Sequence, residues 1–107
     1  MVRTTLQSAG YDVVEAADGQ EALELARGKA VDLVISDVNM PRMDGITLVS
    51  HLRSLPTYRL TPLLLLTTES SQEKKMEGKR AGATGWIVKP FNPAQLLTTL
   101  NKLFGTA

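Results

Sequence analysis

The chain has 107 residues, a formal net charge of +1, 43% hydrophobic residues and 21% charged residues, the composition of one ordinary globular domain with one core. That balance gives no electrostatic reason to bind nucleic acid or a membrane surface, and the absence of cysteine excludes disulfide and thiolate chemistry. No apolar stretch nears the ~20 residues of a membrane span, and Met1-Val2-Arg3-Thr4-Thr5-Leu6 lacks the apolar core of a signal peptide, so the expected compartment is the cytoplasm.

In chain order, Val2, Leu6 and Ala9 have the spacing of a short amphipathic helix stopped by Gly10. Tyr11 to Ala16 reads as a strand. Asp18 with Glu21 forms a capping box for a helix carrying Ala22, Leu25 and Ala26 on one face and ending at Gly28. Val31 to Asp37 has the highest β-branched content and reads as a second strand. A loop through Pro41 leads to a helix with Leu48, Val49, Leu52 and Leu55 inwards. Pro56 and Pro62 bracket the connection to a strand over Leu63 to Thr67. Ser70 with Glu73 makes another capping box, opening a polar helix that fades by Gly82. Gly85 to Val88 is the last strand. Asn92 as cap and Pro93 at the first helical position start a final helix with Leu96, Leu97, Leu100, Leu103 and Phe104 facing inwards. Alternating helices and strands predict one α/β domain over residues 1–107, without repeat or linker.

The strand runs are short and apolar, as expected of a parallel sheet covered on both faces. Asp37, Thr67 and Lys89 each stand at the end of such a run. Ligands of open parallel sheets bind at the carboxyl ends of the strands. A carboxylate, a hydroxyl and an ammonium delivered there make a nucleophile, a hydrogen-bond donor and a charge clamp, the parts that hold a phosphoryl group. Taken singly, each is explained as a polar residue where a strand meets solvent. The three together call for more.

Four segments resemble the receiver domain of two-component response regulators, in particular the single-domain chemotaxis regulators of the CheY type. They are Ala17-Asp18-Gly19-Gln20-Glu21-Ala22-Leu23, Asp32 to Gly45 (with Ser36-Asp37-Val38-Asn39-Met40-Pro41), Leu66-Thr67-Thr68-Glu69, and Gly82 to Phe91 (with Trp86-Ile87-Val88-Lys89-Pro90). The resemblance runs along the whole chain and implies a flavodoxin-like, doubly wound parallel sheet. It implies that Asp37 is the phosphoacceptor, taking a phosphoryl group from a phosphohistidine of a histidine kinase. It implies a Mg²⁺ ion held by Asp37 and the backbone carbonyl of Asn39, with Thr67 and Lys89 on the phosphoryl oxygens. Pro90 resembles the family's cis proline that aims the lysine. Trp86 stands at the family's switch aromatic, coupled to Thr67; closing the sheet edge is the plainer role for it. The output implied is a protein contact, such as one with a flagellar motor switch component. No acidic residue follows Glu77, whereas Lys79, Arg80, Lys89 and Lys102 do, a face suited to solubility or to steering an acidic partner. His51 reads as a helix-surface residue.

Family members begin with a strand ending in an acidic pair, whereas Met1 here aligns within the family's first helix. The expectation is a receiver lacking its first strand and acidic pair, with impaired Mg²⁺ binding and unpaired strand edges that favour a homodimer. Two other functions compete. Haloacid-dehalogenase-type phosphatases also use Asp, Thr and Lys in this order, but need a second acid where Asn39 stands. A degenerate receiver would act only as a binding or dimerisation module.

Overall fold

The computed structural model describes residues 2–39, 42–67, 72–88 and 92–104. Among them, residues 16–88 form one compact unit, and residues 2–15 with 92–104 form a second.

The larger unit holds α2 (Gly19–Gly28), β1 (Val34–Asp37), α3 (Gly45–Arg53), a 3-10 turn over Pro56–Tyr58, β2 (Leu63–Thr67), α4 (Gln72–Ala81) and β3 (Gly85–Val88). The three strands form a parallel sheet in the order β1-β2-β3, with Asp37 opposite Leu66 and Thr67 opposite Val88. β2 is the central strand among the described residues, and all five of its residues are buried, which is why a run of four leucines suits it. Leu63 and Leu65 enter one core with Leu23 of α2, Leu48, Val49 and Leu52 of α3, Val38, and Tyr58. The inward positions of α3 are those that helical spacing predicts, and Leu55, just past the helix, packs half-buried against the same core.

Tyr58 is fully buried, and its hydroxyl donates to the Ala26 and Lys29 carbonyls, satisfying the end of α2. Arg53 ties the end of α3 to the loops that lead into β2 and β3. Its Nε donates to the Gly82 carbonyl at 2.8 Å and its Nη1 to the carbonyls of Tyr58, Arg59 and Thr61. Its Nη2 donates to the Thr84 hydroxyl at 3.0 Å, and that oxygen also accepts from the Leu63 amide. Burial pushes the Arg53 pKa down from its ordinary value, but arginine remains charged in any case.

Two expectations are corrected in this unit. β1 starts at Val34, not Val31, because its ladder begins where Val34 donates to the Pro62 carbonyl and faces the first residue of β2. On α2 Ala22 and Ala26 pack against the core as read, but the buried side chain beside them is Leu23, while Leu25 is 41% exposed. The Asp18–Glu21 capping box forms as read, with the Glu21 amide on Asp18 Oδ1 at 2.9 Å and the Ala17 amide on Glu21 Oε1 at 2.8 Å. The Ser70 half of the second box lies outside the described residues.

The smaller unit holds α1 (Val2–Ser8) and α5 (Pro93–Phe104). Gly10 ends α1 with a φ of 94°, a conformation that favours glycine, and the Tyr11 amide donates back to the Leu6 carbonyl. Residues 11–16 are not a strand, contrary to their apolar pattern. Strand identity comes from a ladder, and these residues have none among the described residues. Asn92 caps α5 by accepting from the Ala94 amide at 2.8 Å. Leu96 and Leu100 are buried and Leu97 and Leu103 half-buried, whereas Phe104 is exposed and tilts towards Tyr11 with ring centroids 6.4 Å apart.

Candidate functional site at the strand ends

Asp37 is the last residue of β1 and Thr67 the last of the adjacent β2, so the parallel sheet brings both to the same end. Thr67 is 3% exposed and Asp37 half-buried. Asp18 and Asp44 are occupied as helix caps, and Asp32 is exposed before β1. Asp37 is therefore the only carboxylate at a strand end among the described residues.

The backbone around Asp37 is tightly held. The Val38 amide donates to the Leu66 carbonyl at 2.9 Å, extending the ladder one residue past β1, and the Gly45 amide returns to the Val38 carbonyl at 2.9 Å. A Cβ on Gly45 would fall 2.2 Å from the Asp37 carbonyl oxygen, so only glycine permits this approach of α3 to the strand end. Asp44 caps α3 by accepting from the Thr47 amide at 2.7 Å. Asn39 is exposed just beyond Asp37.

Arg42, at a φ of 66°, donates from Nε (3.0 Å) and Nη2 (2.7 Å) to Asp18 Oδ2. A Cβ on Gly19 would lie 2.2 Å from the Met43 carbonyl oxygen. The loop after β1 is thus fastened twice to the start of α2. The Glu21 amide first, and the Arg42 guanidinium second, hold the Asp18 carboxyl below the usual carboxylate range. Sequence reading found the Asp18 cap but missed its partner, which lies 24 residues away.

Side chains alternate along a strand, so Leu65, Thr67, Trp86 and Val88 share one face of the sheet through the pairs Leu65–Trp86 and Thr67–Val88. Trp86 is half-buried on that face, next to Gly78 of α4. Thr67 and Trp86 are therefore diagonal neighbours, the placement that coupling between them requires. His51 is exposed on α3, as read. Lys89 and Pro90 lie outside the described residues, as do Met40 and Pro41.

Mg²⁺ takes six oxygens in near-octahedral geometry. No group of three or more His, Cys, Asp or Glu side chains able to hold a metal occurs among the described residues. Asp37 and the Asn39 carbonyl alone do not make such a site, so the described residues do not fit the ion as a complete set. No helix among the described residues is long and apolar enough to cross a membrane.

Residues 1–101 match the response regulator receiver domain family. The chain is 37% identical over 105 residues to the chemotaxis protein CheY-3 of Vibrio cholerae, covering 97% of this chain and 81% of that protein. The high-resolution structure of chemotaxis response regulator CheY4 of Vibrio cholerae is similar with a TM-score of 0.90 and 57% identity, over 96% of this chain and 86% of that one. The receiver domain of a sensor histidine kinase from Pseudomonas aeruginosa PAO1 is similar with a TM-score of 0.89 and 28% identity, over 98% of this chain and 86% of that one; its active-site cleft coordinates a magnesium ion.

Proposed function

The chain belongs to the response regulator receiver domain family of two-component signalling, and from that premise we propose that Asp37 is its phosphoacceptor. The observation that carries this reading is the pair of strand ends: a half-buried carboxylate closing β1 beside a buried threonine closing β2. A carboxylate oxygen of Asp37 attacks the phosphorus of a phosphohistidine on a histidine kinase. The O–P bond of an acyl phosphate forms, the N–P bond breaks, and the departing imidazole takes up a proton. Gly45 fixes the Asp37 backbone during the attack, which is where positioning contributes to the rate. The Thr67 hydroxyl donates to a phosphoryl oxygen, and the Lys89 ammonium, which follows Val88 in sequence, offsets the added charge.

Movement of Thr67 towards phosphate draws on Trp86, its diagonal neighbour, and remodels the surface read by a downstream protein. The similarity to chemotaxis regulators favours a flagellar motor switch component as that partner. Incubation with Mg²⁺ and acetyl phosphate tests the assignment: intact mass should rise by one phosphoryl group, and Asp37→Asn should abolish the gain. Phosphorylation that survives Asp37→Asn would overturn it.

A second reading is favoured by two observations: the short donor set for a metal, and the outer edge of β1, which pairs with no strand among the described residues. On that reading this 107-residue chain is a binding or dimerisation module that acts without phosphorylation. An exposed edge is a template for pairing with a second copy. Light scattering at micromolar concentration should then give a dimer, and a well-folded monomer would exclude it.

A further inference from the structure

We propose that Gly78 is a positioning residue for the Trp86 indole, leaving the slot in α4 that lets the ring seat against the sheet. A Cβ at position 78 would lie 2.5 Å from Trp86 Cζ3, 3.1 Å from Trp86 Cε3 and 3.0 Å from Leu65 Cδ1. The first distance is shorter than real Cβ contacts allow, so any larger residue moves the ring or the helix.

Helix propensity argues against a glycine here. Gly78 is buried within α4, where alanine is the better helix former. Its backbone does not explain the choice, because the glycines with positive φ are Gly10 and Gly82 among the described residues. Close approach of the indole does explain it.

The seat holds the ring by packing. Trp86 Nε1 is buried and has no hydrogen-bond partner among the described residues, and an indole N–H normally finds one when buried. The seated position therefore carries an uncompensated polar group, and the fit against Gly78 and Leu65 opposes the tendency to leave. Trp86 shares its sheet face with Thr67, so the width of the slot sets how readily the aromatic follows the threonine. That consequence rests on Asp37 phosphorylation; the seat itself does not.

The chain has one tryptophan, so its emission reports the seat without labelling. In the full chain, with no phosphate mimic present, Gly78→Ala should shift the Trp86 emission to longer wavelength and raise its quenching by acrylamide. Unchanged emission and quenching in a folded Gly78→Ala protein would overturn the proposal. If Gly78→Ala does not fold, the Gly78→Ala, Trp86→Leu double variant should unfold cooperatively again, because leucine vacates the clashing ring edge. A double variant that also fails to fold would overturn it. The response of native Trp86 emission to beryllofluoride tests the phosphoacceptor reading separately, and its absence leaves the comparison of native and Gly78→Ala chains standing.

Discussion

Arg42 and Asp18 join the loop after the candidate phosphoacceptor to the first turn of α2, through two donors converging on one carboxylate oxygen at 3.0 and 2.7 Å. Arg42 holds this contact from a positive φ that non-glycine residues seldom adopt. The ion pair and the Gly19–Met43 approach together fix where the loop leaves Asp37.

The Asp18 carboxyl is held low in the folded chain by the Glu21 amide and then by Arg42. A depressed folded pKa gives stability that is present above the unfolded value and lost as pH falls through the folded one. The unfolded value of an aspartate is about 3.9, so the loss should begin near pH 4 and continue below it. Urea midpoints measured down that range should fall less steeply for Asp18→Asn than for the native chain. Arg42→Ala should fall in between, because the Glu21 amide remains. Parallel curves for native and Asp18→Asn chains would remove this role.

Arg53 should matter to stability and not to the phosphoacceptor site. Its guanidinium serves Gly82, Tyr58, Arg59, Thr61 and Thr84, groups near Leu63 at the opposite end of β2 from Thr67. Arg53→Ala should cost on the order of 2 to 3 kcal/mol, because several partly buried carbonyls lose a charged donor. Arg53→Lys should recover only part of this, lacking the planar fork. Denaturant titration gives both values, and the extent of acetyl phosphate labelling of the folded fraction should be unchanged.

What could be read from the sequence divides by range. Leu63–Thr67 and Gly85–Val88 lie where short apolar runs place them, and the Asp18 and Asn92 caps form as their local patterns require. Those signals are complete within a few residues. Tyr11 to Ala16 shows the limit of such signals: Tyr11 and Val13 are half-buried while Asp12 and Val14 are exposed, a period-two alternation without a partner strand among the described residues. Arg53 was invisible because its acceptors lie up to 31 residues away. Gly78 carries no local signal of its role, because the indole it makes room for belongs to another element, β3. The placement of Asp37 and Thr67 at adjacent strand ends was legible because each closes a short apolar run.

Gly45→Ala should be damaging beyond its place in a helix, where alanine would otherwise be favoured. The added Cβ would meet the Asp37 carbonyl oxygen at 2.2 Å, a backbone atom that cannot rotate away. Either α3 or the end of β1 must shift, which moves Asp37, the proposed nucleophile. Labelling by acetyl phosphate should fall at least about tenfold, as misplacing a reacting group by an ångström can cost on the order of a hundredfold. Labelling at the native rate would show that the strand end tolerates the shift.

Thr67→Ala should separate acceptance of the phosphoryl group from the response to it. Thr67 is 3% exposed and shares a sheet face with Trp86, while the proposed attacking oxygen belongs to Asp37. Removing the hydroxyl leaves the proposed nucleophile in place and deletes the proposed donor to phosphate. Intact mass should still show the phosphoryl adduct on acetyl phosphate. The emission of Trp86, the single tryptophan, should change on phosphorylation of the native chain and stay nearly constant in Thr67→Ala. Thr67→Ser keeps a hydroxyl and should restore most of the change. An emission response equal to native in Thr67→Ala would break the link between the two residues, leaving Trp86 as a packing aromatic at the edge of the sheet.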